Sequence, residues 1–506
     1  MRTRTWVVAG LAAVALASCG IQSPGVTASR SAQPPAGLFP ADTTAPSNGV
    51  HNVVATTTTE PSYPVIGGVV DFGEAGPQHP DYDGFLTTAF RDIESFWAEQ
   101  FPATYGSPFE PLKGGIYAAY PARTSPIPGC GTPKSTYEDV QRGTAFYCVD
   151  GDFMAYDDAD GLPKLVQQLG KQAVAVVLAH EFGHAIQSRA NEWNQLGVLK
   201  EQQADCFAGA WTAHVASGGS STIHFNDTDV RAGLVAMINV ADPIAGAGLA
   251  DALAHGTGFD RVGAFQDGFQ GGTTRCKTFF TEDRVNKLID IQFDSNDVNG
   301  GNLPLVDPNP DAKLGPQDIV TLIPASLDEF WTDQATKSSV PFTKPTLTPF
   351  PDAGPYPTCD GIRASEWAHN ARYCAADNTI YWDQDEMLKL SLDRITGDMS
   401  VGYLLAGGFS DAFLDGLRST VAGEKRALAN DCLTGAWVGS IVPPIPTDRV
   451  DKLVLSAGDL DEAIVTAISR SDPTIDTNLH GSAFERIAAF RTGVLGGLAV
   501  CRSQIG

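Results

Sequence analysis

His180 and His184 flank Glu181 in the run His180-Glu181-Phe182-Gly183-His184. On a helix four residues turn about 400° and rise about 6 Å, so both imidazoles leave one face close enough to share a metal ion. Glu181, next to the first imidazole, reaches a water on that metal rather than the metal itself. Further on, Glu201 and Asp205 recur at the same spacing in Glu201-Gln202-Gln203-Ala204-Asp205-Cys206. A catalytic zinc takes three protein ligands and keeps a position for water, which makes Glu201 the natural third ligand. Asp205, one turn on, would accept the outer N–H of a ligand histidine and fix its tautomer. A solvated acidic face would sit badly beside Ala204, Phe207, Ala208 and Trp211. His214 and His224 lack ligand spacing to the pair and read as ordinary surface or core residues.

These groups need rigid elements to aim them. Lys164 to Ala190 reads as one largely buried helix, its apolar run Ala173 to Ala179 continuing through Phe182, Ala185 and Ile186. Glu201 to Trp211 starts a second helix after a short polar turn. Upstream, Ala145 to Tyr156 alternates loosely and reads as a strand, either buried in a core or at a sheet edge where an extended peptide could pair with its backbone.

The 506-residue chain is 43% hydrophobic, enough for a sizeable core, and its net charge of −25 argues against unaided binding to nucleic acid. Arg2 and Arg4 precede the apolar run Trp6 to Leu16, too short for a comfortable membrane span, so residues 1–18 read as a signal peptide. Leu16-Ala17-Ser18-Cys19 resembles a bacterial lipobox, which implies lipidation of Cys19 and anchoring at the outer face of the cytoplasmic membrane; the plainer reading is a secretory signal with an incidental cysteine. Residues 19–76 are Ser-, Thr- and Pro-rich and read as a flexible tether, and a second Gly- and Pro-rich stretch, 289–316, as a linker.

The linker separates two halves, 77–288 and 317–506, that share blocks in one order. Phe96-Trp97 matches Phe330-Trp331, Tyr147-Cys148 matches Tyr373-Cys374, and Asp205-Cys206 matches Asp431-Cys432. His255-Gly256 followed by Phe259-Asp260-Arg261 matches His480-Gly481 followed by Phe484-Glu485-Arg486, and Phe265 and Phe490 precede Cys276 and Cys501 by the same interval. This pattern predicts a duplication. The simplest repeat-compatible disulfides are Cys130 to Cys148, Cys206 to Cys276, Cys359 to Cys374 and Cys432 to Cys501, with other pairings inside each half left open. In the second half His180, Glu181, His184 and Glu201 align with Gly407, Gly408, Asp411 and Ala427, so it should hold no catalytic zinc.

The two chemistry-bearing blocks, with the upstream Tyr147-Cys148 and the downstream His255-Gly256-Thr257 and Cys276, resemble the bacterial neutral zinc metallopeptidases. With the lipobox and the second half, the chain is most similar to mycobacterial lipoprotein peptidases of the LpqM type. The resemblance implies an α+β, helix-dominated, zincin-like lobe followed by a degenerate copy of the same fold. It also implies one zinc on His180, His184 and Glu201 with Glu181 as base, acting on a peptide or protein substrate. Zinc would bring the pKa of its water to about 7, and Glu181 would carry the proton to the leaving amine. His255 is a candidate for stabilising the oxyanion, although its partner His480 in a half without a metal favours a structural role. The competing function is a non-catalytic binding or assembly lipoprotein with a retained metal. The sequence leaves the preferred peptide bond and the oligomeric state open.

Overall fold

The computed structural model describes residues 69–506 apart from 142–143, 194, 196, 240–255, 286, 289–301, 314, 394–395, 443–452, 457, 472–479, 503–504 and 506. The expected signal peptide, Cys19, the tether up to residue 68, the first part of the linker and His255 lie outside the described residues.

Short aromatic and β-branched runs form small sheets, and long runs rich in Ala, Val and Leu form helices, giving a helix-rich α+β protein. The first half contains β1 (Val70–Asp71), α1 (Asp83–Tyr105), β2 (Gly115–Ala119), β3 (Ile127–Pro128), β4 (Lys134–Ser135), α2 (Tyr137–Gln141), β5 (Ala145–Cys148) and β6 (Phe153–Asp157). There follow α3 (Gly161–Leu169), α4 (Lys171–Arg189), α5 (Gly197–Ala216), α6 (Asp227–Asn239), α7 (Gly258–Lys277) and α8 (Glu282–Val285). The second half contains α9 (Ile319–Ser338), β7 (Thr346–Phe350), β8 (Ala371–Cys374), β9 (Thr379–Asp383), α10 (Gln384–Leu392), α11 (Gly397–Gly416), α12 (Glu424–Ser440), α13 (Asp459–Ser469) and α14 (Ala483–Cys501).

Two expectations change. The single helix from Lys164 is broken at Gly170, whose φ of 89° and ψ of 161° end α3 and start α4. Only a residue without Cβ adopts that backbone readily, so one glycine sufficed where the sequence shows no Pro or Gly cluster. The strand from Ala145 to Tyr156 is a hairpin. β5 and β6 pair antiparallel from Cys148–Phe153 to Ala145–Tyr156, turning through Asp152 at φ 48°, where the Tyr147 hydroxyl donates to Asp152 Oδ1 at 2.9 Å. The sheet order is β1-β2-β6-β5, so β5 is at one edge, opposite β1, and β6 is interior.

The second sheet, β7-β9-β8, repeats part of this pattern. β2 pairs parallel with β6 and β7 with β9, and the registers end on Ala119–Asp157 and Phe350–Asp383. Each aspartate then receives amides of the following segment: Asp157 those of Ala159, Asp160 and Gly161, and Asp383 those of Asp385 and Glu386. Four disulfides join Cys130–Cys148, Cys206–Cys276, Cys359–Cys374 and Cys432–Cys501. The second and fourth clamp helix pairs that run very close: a Cβ on Gly268 would lie 1.8 Å from the Cys206 carbonyl oxygen, and one on Gly493 1.9 Å from that of Cys432.

One hydrophobic cluster runs through both halves. They meet along α7, where Phe269 stacks on Phe484 at 4.2 Å and Gln266 Nε2 donates to the Phe484 carbonyl at 2.8 Å. Asp461 of α13 accepts the Phe259 amide at the start of α7 at 3.0 Å.

Beyond β6, Asp158 is buried with Tyr82, whose hydroxyl donates to it at 3.4 Å. Burial, then the charge of Asp83, pushes its carboxyl up to about 7 against the pull of His79. The folded chain therefore keeps a proton there that the unfolded chain releases near pH 4. The associated stability is present below about pH 4 and is lost as pH rises through about 7. Thermal unfolding at pH 4 to 7 should show this loss in the wild type and a flatter profile in Asp158→Asn; identical profiles would contradict the assignment.

Candidate metal centre

α4 and α5 cross closely because Gly183, inside the histidine run, faces Ala204: a Cβ there would stand 3.0 Å from the Ala204 Cα. That approach brings His180 and His184 of α4 against Glu201 of α5. Glu201 Oε2 lies 3.3 Å from His180 Nε2 and 3.4 Å from His184 Nε2. The ligand-type atoms of these three residues all lie within 4.8 Å of one another. Both histidines are buried, and the Glu201 side chain is 13% exposed, so the cluster opens toward solvent on the glutamate side.

Each imidazole is held from behind. His180 Nδ1 meets Asp205 Oδ1 at 2.7 Å, and His184 Nδ1 meets Gln187 Oε1 at 2.9 Å. Both partners accept, so the proton sits on Nδ1 and the Nε2 lone pair faces the cluster. Gln187 is fixed by donating its Nε2 to the Lys200 carbonyl at 2.6 Å. Asp205, fully buried, is gripped by Arg261 of α7 through Nε to Oδ2 at 2.9 Å and Nη2 to Oδ1 at 2.7 Å. Burial would raise the Asp205 carboxyl, but Arg261 and then His180 outweigh it and hold it below the usual range. Burial pulls His180 down, yet Asp205 and Glu201 push it up to about 9. A metal ion would displace that proton.

Glu181 is buried between the histidines in sequence, and its Oε2 has no hydrogen-bond partner among the described residues. A buried carboxylate oxygen left without a partner on the residue next to His180 suits a site completed by a metal ion and a water. The donor set of two nitrogens and one carboxylate is the type that suits zinc with an open position. Trp193, in edge contact with the His184 ring at 5.9 Å and under the Lys200 ammonium at 4.6 Å, walls one side.

The structure thus brings His180, His184, Glu201 and Asp205 together, buries Glu181 next to His180 on α4, and leaves His214 apart, against Phe96 at 5.2 Å. Arg261, Gln187 and Trp193 were not anticipated. Arg261 had a signal: it recurs as Arg486, which donates to Asp431 through Nε at 2.7 Å and Nη2 at 2.6 Å. There the Tyr403 hydroxyl, not an imidazole, is the third donor to the buried aspartate. A Cβ on Gly407 would meet nothing within 4 Å, and Asp411 is paired with Arg426 at 2.6 Å.

Residues 72–279 match the model of a family described as "Putative neutral zinc metallopeptidase". Among individual proteins, the chain is 27% identical over 227 residues to "Uncharacterized protein YpfJ" of Escherichia coli (strain K12), covering 40% of this chain and 73% of that protein. It is 32% identical over 164 residues to "Uncharacterized protein Rv2575" of Mycobacterium tuberculosis (strain H37Rv), covering 27% of this chain and 56% of that protein. No solved structure matches.

If Asp205 and Arg261 orient His180, then Asp205→Asn and Arg261→Gln should each weaken zinc binding about 10- to 100-fold in chelator competition. Affinities within twofold of wild type would show that the clamp does not tune the site.

Proposed function

We propose that the protein is a zinc metallopeptidase that hydrolyses peptide bonds, with His180, His184 and Glu201 as ligands and Glu181 as general base. Zinc bound there would supply Lewis-acid polarisation of a water and of the scissile carbonyl. Glu181 takes a proton from the attacking water, the water oxygen bonds to the carbonyl carbon, and the same proton passes to the leaving nitrogen as the C–N bond breaks. Asp205 and Gln187 keep the histidines in the tautomer that leaves Nε2 free.

The observation that carries this reading is the convergence of His180, His184 and Glu201, with the buried Glu181 next to His180 on α4 and its Oε2 without a hydrogen-bond partner among the described residues. A purely structural zinc has a closed four-ligand shell and no use for such a base. The family match over residues 72–279 supports the same class.

The second half is, in this proposal, a degenerate copy of a zincin-like lobe. The reading is supported by the matching strand registers, the corresponding disulfides and similar glycine kinks, Gly272 at φ 64° and Gly497 at φ 63°. Gly407, Asp411 and Ala427 leave it without the counterparts of the three zinc ligands, and its role is to pack on α7 and support the first half. The lipobox-like Leu16 to Cys19 supports membrane tethering outside the cytoplasm.

Glu181→Gln should retain one zinc per chain and lose cleavage of a peptide library by several orders of magnitude, because only the base is removed. Turnover equal to wild type would refute the mechanism, and a library left intact by zinc-loaded wild type would favour the non-catalytic binding role.

A further inference from the structure

A second cluster of ligand-type groups lies in the second half. Asp398 stands in the first turn of α11, and Asp459 and Glu462 in the first turn of α13. All three are buried, at 4%, 3% and 5% exposure, and each offers an oxygen within 4.8 Å of the others. Oxygens that share one calcium at about 2.4 Å lie no more than about 4.8 Å apart, a limit these three meet pairwise.

The remaining contacts leave the cluster short of positive charge. Asp398 Oδ2 accepts the Leu303 amide at 2.8 Å, and Glu462 Oε2 accepts the Met399 amide at 2.9 Å and is joined by the Asn302 side chain. Asp459 accepts the Ser456 amide at 2.7 Å and hydroxyl at 2.6 Å. None of the three is bonded to a Lys, Arg or His among the described residues. Asp398 Oδ1 is buried and receives no N–H or hydroxyl donor among the described residues, and the Asp398 carboxyl faces that of Glu462 within hydrogen-bond reach. The two helix N-termini favour negative charge, but only weakly compared with the cost of burying three carboxylates together. Burial, and then mutual repulsion for Asp459 and Glu462, drives the carboxyls upward. Gly397 completes a cradle, since a Cβ there would lie 2.0 Å from Glu462 Oε1.

We propose that Asp398, Asp459 and Glu462 form a binding site for one calcium ion, separate from the His180 centre. All-oxygen, carboxylate-rich donors suit a hard cation and not zinc. Calcium accepts the irregular geometry of carboxylates that also receive amides, which magnesium tolerates poorly. The ion would tie the start of α11 to the start of α13. The same turn of α13 carries Asp461, which holds the Phe259 amide of α7, two residues before Arg261. Calcium would thereby brace the seat of the Asp205 clamp.

The test uses the full chain, stripped with chelator, reloaded with zinc and titrated with calcium chloride by calorimetry and thermal unfolding. One calcium per chain is expected, with a rise in Tm of about 5 °C or more at saturating calcium. Asp398→Asn and Glu462→Gln should each weaken calcium at least tenfold while unfolding no earlier than calcium-free wild type, because each relieves repulsion. His180→Ala should keep the full calcium response, which separates this site from the zinc centre. A wild type with neither heat nor Tm shift would overturn the proposal and leave shared protons to neutralise the cluster. A calcium response surviving in both carboxylate variants would overturn it as well.

Discussion

The buried carboxylate of Asp205 is the constraint on which the centre depends. It receives two bonds from Arg261 and one from the His180 ring, so three helices, α4, α5 and α7, are fixed relative to one another at a single point. Without Arg261, a fully buried carboxylate beside one imidazole would be costly. With it, Asp205 stays charged and fixes the imidazole, and Glu201, one turn earlier on α5, is delivered to both Nε2 atoms. The cystine Cys206–Cys276 ties α5 to α7 one residue beyond this point. The small Gly183 and Gly268 let the helices come close enough for these bonds to form.

The second half holds a similar clamp without histidines. Arg486 and Asp431 keep the same paired bonds, and Tyr403, one turn before the glycine aligned with His180, supplies the third donor. In both halves the buried aspartate meets three donors, and only in the first is one of them an imidazole. The arginine–aspartate pair is thus an architectural requirement of the helix packing, to which the first half adds histidines.

Much of the centre was legible in the residues because helical spacing fixes neighbours: His180 with His184, and Glu201 with Asp205, could be assigned to common faces without knowing the fold. Gln187 follows the same rule one turn from His184, but glutamine is too common on helices to stand out. Arg261 lies far away in the chain, and only its recurrence as Arg486 marked it. Breaks were harder to read. Gly170 ends a helix by adopting a left-handed φ that its neighbours do not announce, and the hairpin between β5 and β6 turns on Asp152 rather than on a glycine pair. The packing of the two halves along α7 was invisible because it depends on faces, such as Phe269 against Phe484, that each half alone would read as ordinary core.

The central claim, that one metal centre sits between α4 and α5 and none at the corresponding place in the second half, is tested most directly by anomalous X-ray scattering at the zinc edge from zinc-loaded crystals. A single peak within bonding distance of His180 Nε2, His184 Nε2 and Glu201 is the predicted result. A peak beside Gly407 and Asp411, or zinc bound without Glu201, would contradict it.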